Sequence, residues 1–310
     1  MAEAPLFKRA ALIGIGLIGA SMALAMRRSG LAGEIVCAAR SEKTRETALR
    51  LGLADAAFAS PRDAVKGADL VVLATPIGAF AQIAEEIGPV LEAGTVVTDV
   101  GSVKGMVFRD VAPHLPLNVH LVPGHPVAGT EHSGPEAGFA ELFENRWCIL
   151  TPAEDADQAA VDRISALWTA MGAKVELMSA QHHDLVLAIT SHVPHLIAYN
   201  IVGTASDLET VTQSEVIKYS AGGFRDFTRI AASDPTMWRD VFLNNRDAVI
   251  EMLGRFVEDL IALQRAIRWG EGDTLFDLFT KTRAIRRSII DAGQETQATD
   301  FGRRAKGSAE

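Results

Sequence analysis

The run Ala10-Ala-Leu-Ile-Gly-Ile-Gly-Leu-Ile-Gly-Ala20 constrains this chain more than any other segment. An apolar strand-like stretch, residues 10–13, enters a G-x-G-x-x-G turn at Gly14, Gly16 and Gly19, and a helical stretch, residues 20–29, leaves it. The first glycine permits the tight turn. The second lets backbone approach a pyrophosphate, and the third lets the helix pack against its strand. Leu17 and Ile18 complete the cradle. A pyrophosphate would rest on the helix N-terminus, where free N–H groups and the helix dipole favour negative charge. The pattern predicts binding of a dinucleotide.

A chain of 310 residues leaves room for two domains, and 48% apolar with 22% charged residues is the composition of a globular protein with ample core. The net charge of −9 argues against nucleic acid or an anionic membrane as the main partner. A small anionic ligand then depends on local positive charge, so a few buried arginines matter more than the total. Cys37 and Cys148 both fall in apolar strand-like runs and read as reduced core residues, with no disulfide framework and no C-x-x-C metal pattern. The N-terminal residues carry an acid and lead directly into the first strand, unlike a signal peptide, and no apolar run approaches the ~20 residues of a membrane span. A cytoplasmic location is expected.

Short apolar runs at 34–38, 69–75, 95–100, 120–123, 148–150 and 174–177 alternate with helical stretches, which predicts βαβ units in a largely parallel, doubly wound α/β sheet. Beyond residue 178 the period changes. Apolar residues three and four apart mark helices over 179–202, 213–219, 235–267 and 275–290. In the longest, Trp238, Val241, Phe242, Val249, Leu253, Phe256, Leu260 and Ile267 form one stripe. At ~1.5 Å per residue such a helix reaches ~45 Å, more than a small domain needs to cover itself, so burial against a second subunit is expected. The resulting organisation is a dinucleotide-binding domain over 1–178, an all-helical substrate and dimerisation domain over 179–292, and a disordered tail over 293–310.

Ligands of doubly wound sheets bind outside the carboxyl ends of the strands. Those ends lead here into Thr75-Pro76-Ile-Gly78, Asp99-Val-Gly-Ser102-Val-Lys104 and Pro123-Gly-His125-Pro-Val-Ala-Gly-Thr130-Glu131. Thr75 and Pro76 thereby fall beside the glycine turn. Ser102 reads either as a site residue or as the cap of the next helix. His125, in a glycine-bearing loop, reads either as a site residue or as a loop histidine held by backbone bonds.

In the helical domain, Ser191-His-Val-Pro-His195 lies inside an apolar stretch. Pro194 has no N–H for the carbonyl of Thr190 and should kink the helix, while His192 and His195 share a face. No Cys or carboxylate at ligand spacing accompanies them, so no metal site is expected. Downstream, Arg225 and Arg229 stand four apart after a glycine pair, suited to bidentate carboxylate recognition or to a surface ion pair with Asp226.

Together these segments resemble the prephenate/arogenate dehydrogenase family, the cyclohexadienyl dehydrogenases of tyrosine biosynthesis. The runs that carry the resemblance are Gly14-Ile-Gly-Leu-Ile-Gly19, Asp99-Val-Gly-Ser-Val-Lys104, His125-Pro-Val-Ala-Gly-Thr-Glu131, Ser191-His-Val-Pro-His195, Gly222-Gly-Phe-Arg-Asp-Phe-Thr-Arg229 and Ala232-Ser-Asp-Pro-Thr-Met-Trp238, in order over residues 8–287. The resemblance implies oxidative decarboxylation of a cyclohexadienyl dicarboxylate or amino acid, with hydride passing to NAD or NADP. It implies His125 as general base and Ser102 beside it. Thr130 would lie in the substrate pocket and Arg229 on a substrate carboxylate, with His195, Arg225 and Trp238 shaping the pocket or linking the domains.

One departure concerns the cofactor. NAD-binding versions of the turn place an acid about 20 residues beyond the last glycine, on the ribose 2′-hydroxyl. The corresponding residues here are Ala38, Ala39, Arg40 and Ser41, which favour a 2′-phosphate and hence NADP or dual use, unless Glu42 or another group reaches the ribose. Two other readings share parts of the pattern. A β-hydroxyacid dehydrogenase would use a lysine in the helical domain, and residues 179–200 contain none. A non-catalytic nucleotide sensor would be expected to lack rim residues such as Ser102, His125 and Arg229.

Overall fold

The computed structural model describes residues 4–130, 132–212 and 222–291. The helix expected at 213–219 and the tail over 293–310 lie outside the described residues.

The first strand, β1 (Phe7–Ile13), is central to a six-stranded sheet. Its side chains divide between two cores. Ala10 and Leu12 face one, with Met22 and Met26 of α1 (Leu17–Arg28) and Trp168 of α6 (Gln158–Ala170). Ala11 and Ile13 face the other, with Phe80 and Ile83 of α4 (Phe80–Ile87). A strand buried on both faces must be apolar throughout, which is why its run reads as continuous rather than alternating. The remaining strands are β2 (Ala32–Ala38), β3 (Ala56–Phe58), β4 (Leu70–Leu73), β5 (Val96–Asp99) and β6 (His120–Leu121). Their order is β3-β2-β1-β4-β5-β6, all paired parallel, the order of a doubly wound dinucleotide fold. Between them run α2 (Glu42–Arg50), α3 (Pro61–Ala64) and α5 (Gly105–Asp110).

The strands differ from the sequence pattern in two places. The edge strand β3, only Ala-Ala-Phe and half-buried, was too short to leave a periodic signal. The expected strand at 120–123 ends at Leu121. The chain then leaves the parallel sheet and pairs Gly124–Pro126 (β7) antiparallel with Trp147–Leu150 (β8). With Lys174–Leu177 (β9), parallel to β8, these form a separate three-stranded sheet rather than a continuation of the first. His125 therefore sits on a strand opposite Ile149, not in a loop.

The helical part begins with α7 (Ala180–Leu187) and continues through a π-helical turn, Ala188–His192, into α8 (Val193–Thr212). The widened turn lies just before Pro194, where the chain lacks the N–H that would close an α-turn on Thr190. By length and composition the helical stretch Ala180–Asp207 could cross a membrane, which corrects the expectation that nothing here reaches that length. Isolated polar residues break its apolar run in the sequence without breaking the helix. Three of those residues, His183, Asp184 and His192, are buried in hydrogen bonds with other parts of the protein, so that face packs on protein.

The single long helix expected over 235–267 is instead two. After α9 (Gly222–Thr228) and a 3₁₀ turn, Arg229–Ala232, come α10 (Pro235–Asn244) and α11 (Arg246–Trp269). The break is at Asn245, a buried residue with φ −108° and ψ 35°. Its amide donates to the Asp184 carbonyl and bonds His192 Nδ1, so a polar contact overrides helical periodicity. The last helix is α12 (Gly272–Asp291). The chain divides into two compact units, residues 1–252 and 253–310. In the first, Trp238, Val241 and Val249 of the stripe are buried. In the second, Leu260 and Ile267 are exposed, as are Trp269, Phe276, Phe279 and Ile285, and no residue of α12 is buried.

Candidate active site

The glycine turn has the steric logic its sequence implies. Gly14 has φ +99°, and a Cβ there would lie 2.6 Å from the Ala74 carbonyl oxygen. A Cβ on Gly19 would meet the Gly14 carbonyl oxygen at 2.4 Å, so both positions are closed to any side chain. Gly16 differs, because nothing lies within 4 Å of its Cβ direction. It is also the N-cap of α1, whose first turn has neither a capping side chain nor an acid. An open space in front of uncapped amides is the receptor an anionic pyrophosphate requires. Leu17 and Ile18, half-buried, flank it on α1. Thr75 follows β4, and its hydroxyl is buried with no hydrogen-bond partner, while Pro76 next to it is exposed. The residues present therefore fit a dinucleotide.

At the carboxyl end of β2, Arg40 is exposed and Ser41 caps α2, accepting from Thr44 N at 3.4 Å. Arg45 braces this turn from α2, its Nη1 donating to the Ala39 and Arg40 carbonyls at 2.8 Å each. It adds a second guanidinium to this turn. Its signal in the sequence is an arginine one helical turn past the cap.

The chemistry-bearing groups converge beyond β5. Asp99, fully buried at the strand's end, accepts from Gly101 N at 2.8 Å and Gly124 N at 3.2 Å, and is ion-paired with the equally buried Lys104. The ammonium of Lys104 also donates to the Gly124 carbonyl at 2.6 Å. Both polar groups of the residue before His125 are thus pinned by one ion pair, which sets the position of the strand carrying that histidine. Ser102 stands half-buried in the same turn.

His125 is 7% exposed, and its Nδ1 lies 2.8 Å from Nε2 of His183, the rings edge to face at 5.0 Å between centroids. Nδ1 of His183 is 2.8 Å from Asp184 Oδ1. Asp184 accepts from the backbone N–H of Lys104 and of Gly105, each at 2.8 Å. Burial, assisted by the nearby His183, Lys104 and His192, holds His125 well below the usual imidazole value. Burial also lowers His183, although its hydrogen bond to Asp184 opposes the shift. His192 is pushed down to about 4, chiefly by burial, with Asp184 and the Ser102 backbone opposing the shift.

On the helical side, His195 is stacked on Trp238 with ring centroids 3.7 Å apart, and its Nδ1 donates to the Ser191 carbonyl at 2.8 Å. His192 meets the same indole edge on at 6.0 Å, so both histidines of the motif face Trp238. Arg229 is half-buried, and its charge helps to keep His195 below its ordinary value, after burial. Arg225 is exposed on α9, and Thr130 is half-buried in the segment after β7, its hydroxyl accepting from His132 N at 3.2 Å. The structure thus groups His195, Trp238 and Arg229. It also joins His125 to residues the sequence reading gave no role: His183, Asp184, Asp99, Lys104 and Asn245. The adjacent His183-Asp184 pair was a usable signal, overshadowed by the histidine pair nine residues on.

Comparisons with known proteins identify the family. Residues 22–177 match the family model described as prephenate dehydrogenase, nucleotide-binding domain, and residues 179–281 the model of its dimerization domain. A cyclohexadienyl dehydrogenase of Zymomonas mobilis is 41% identical over 283 residues, 91% of this chain and 96% of that protein. The crystal structure of prephenate dehydrogenase from A. aeolicus, in complex with hydroxyphenyl propionate and NAD+, is similar with a TM-score of 0.85 at 35% identity, covering 91% of this chain and 98% of that one. A Synechocystis arogenate dehydrogenase structure is similar with a TM-score of 0.76 at 26% identity, covering 91% and 99%. With its glycine cradle, its buried histidine at the rim of a doubly wound sheet and both halves matched in order, this chain belongs to the prephenate dehydrogenase family.

Proposed function

We propose that this chain oxidises and decarboxylates prephenate, arogenate or both, giving 4-hydroxyphenylpyruvate or tyrosine, with NADP or NAD as hydride acceptor. The observation that carries the reading is His125. It is buried at the sheet rim, held below its ordinary pKa and bonded through Nδ1, which leaves Nε2 as the atom able to take the substrate's hydroxyl proton. A bound nicotinamide supplies the acceptor for the hydride leaving the ring carbon. Ser102 orients the hydroxyl beside His125, Thr130 lines the pocket, and Arg229 pairs with a substrate carboxylate. His195 and Trp238 form the wall next to Arg229, with Arg225 at its margin. Loss of the ring carboxylate as CO2 aromatises the product and makes the step effectively irreversible. We take 1–178 as the nucleotide-binding unit and 179–292 as the helical unit, as the matched ranges support. Neither a β-hydroxyacid dehydrogenase nor a nucleotide sensor gains support from the relatives. The experiment is a comparison of kcat/KM for prephenate and arogenate, each with NAD and with NADP. Turnover with neither substrate overturns the reading.

The preference among cofactors leans to NADP. Arg40 and Arg45 give the end of β2 two guanidiniums and no acid in the ribose-reading place. Arg40→Asp removes a partner of a 2′-phosphate and restores an acid, so the NADP-to-NAD efficiency ratio should fall at least about tenfold, ~1.4 kcal/mol. A ratio that does not move assigns the reading of the ribose to another group.

A homodimer through the helical unit accounts for the exposed faces. Trp269 is 73% and Phe276 70% exposed. Within Ala180–Asp207 only 28% of the most apolar window is buried. Apolar surface on that scale marks an interface, here of roughly 2,000 Å² or more. Sedimentation should show a dimer at micromolar concentration, and a stable 33 kDa monomer would refute it.

A further inference from the structure

Behind His125 lies a second histidine and an aspartate that the oxidation as written above does not use. Asp184 is an acceptor-only carboxylate with three N–H groups directed at it: Lys104 N, Gly105 N and the His183 ring. The approach is close, since a Cβ on Gly105 would lie 3.0 Å from Asp184 Oδ2. A carboxylate has no hydrogen to give, so His183 must donate from Nδ1. Neutral His183 then carries its lone pair on Nε2. That nitrogen faces His125 Nδ1 at 2.8 Å, so His125 must be the donor there and must present its own lone pair at Nε2. The tautomer of the base is thus set from Asp184, through one intervening ring.

We propose that His183 and Asp184 act as a proton-holding relay: as His125 Nε2 takes the substrate's hydroxyl proton, the Nδ1 proton of His125 passes to Nε2 of His183, and the new imidazolium rests against Asp184. The inference rests on the reading of His125 as the base. The balance closes within these groups. The substrate O–H bond breaks and an N–H bond forms at His125 Nε2. The His125 Nδ1–H bond breaks and one forms at His183 Nε2, while the O–H electron pair becomes the carbonyl as hydride leaves. His125 ends neutral in its other tautomer, and the reverse sequence resets it once its Nε2 proton escapes to water.

The surroundings favour a cation on His183 over one on His125. His125 faces Lys104, His183 and His192, every one of which opposes a positive charge on it. His183 faces Lys104 too, but also Asp184 by a direct hydrogen bond and Asp99 at longer range. Burial disfavours charge on both rings, and only His183 has an anion in contact to offset it. Asp184 is itself fixed by two backbone amides, and Asn245 holds its carbonyl at 2.8 Å, so the acceptor is preorganised.

The test uses the full chain with ¹⁵N-labelled histidine. The long-range ¹H–¹⁵N spectrum of the unmodified protein reports each tautomer, with His125 assigned by the signal lost in His125→Asn. Protonation of His125 at Nδ1 is expected, and protonation at Nε2 overturns the proposal without any variant having to fold. Asp184→Asn should shift His125 towards the other tautomer; an unchanged pattern overturns the role of Asp184. His183→Gln keeps an acceptor for His125 Nδ1 but cannot hold a proton. Its kcat should fall about 10²-fold with KM and NADP affinity within threefold, a loss below the cost of removing the base outright. A kcat within twofold of the parent overturns the relay. If His125→Asn itself retains full turnover, the base assignment fails instead, and the two failures are separately visible.

Discussion

His125→Asn is expected to lower kcat by about 10²–10⁴-fold while folding and substrate affinity stay near normal. Asparagine is close to the imidazole in size and keeps a polar group towards His183, so the pocket is not emptied, but it cannot accept a proton. The size of the effect follows from the cost of removing a general base. A kcat within about threefold of the parent would remove His125 from the role. The same residue predicts the form of the pH profile. A base must be neutral to work, and burial with three neighbouring cationic or titratable groups holds His125 well below the ordinary imidazole pKa near 6.5. It stays neutral as pH falls through 6.5, so the acid limb of kcat/KM that it governs should lie below that value. An acid limb above pH 6.5 would mean another group controls it.

Arg229→Ala is expected to raise KM by tens- to thousands-fold, with kcat falling less. A carboxylate clamp exists in the ground state as well as in the transition state, so its loss weakens both together. Truncating one partner of a buried, charged hydrogen bond costs ~2–5 kcal/mol, which sets that range. Arg229→Lys keeps the charge but loses the fork that matches a carboxylate, so KM should again rise more than kcat falls. Arg229 is half-buried and its charge is felt at His195, which sets it apart from the fully solvated arginines and supports that reading. An unchanged KM for both prephenate and arogenate, with only a small change in melting temperature, would assign Arg229 to a helix-surface ion pair and make Arg225 the next candidate.

What the sequence made legible was local. Gly14 and Gly19 could be read because their chemistry is steric and contiguous: each lacks a side chain because backbone occupies the space. The parallel core could be read because strands buried on both faces are uniformly apolar. The second sheet could not. Gly124–Pro126 looks like loop sequence, and only its long-range pairing with Trp147–Leu150 makes it a strand. The relay was hidden for the same reason, since His125 and His183 are 58 residues apart and nothing local in either segment points to the other. Asn245 shows the reverse failure, in which a clean 3.6-residue period continues across a helix break imposed by hydrogen bonds to Asp184 and His192. Lys104 is instructive too. Nothing local in a strand-end turn marks a lysine for burial, yet Lys104 is fully buried because Asp99 and the Gly124 carbonyl satisfy it.

Hydride transfer by this chain should be coupled to loss of CO2 from a cyclohexadienyl ring. The most direct measurement follows absorbance at 340 nm and released CO2 together, on the purified full chain with prephenate or arogenate and NADP or NAD. Reduced cofactor and CO2 appearing in equal amounts, with an aromatic product, is the predicted result. No rise at 340 nm with any of the four pairs, or reduction of cofactor without CO2 release, would contradict it.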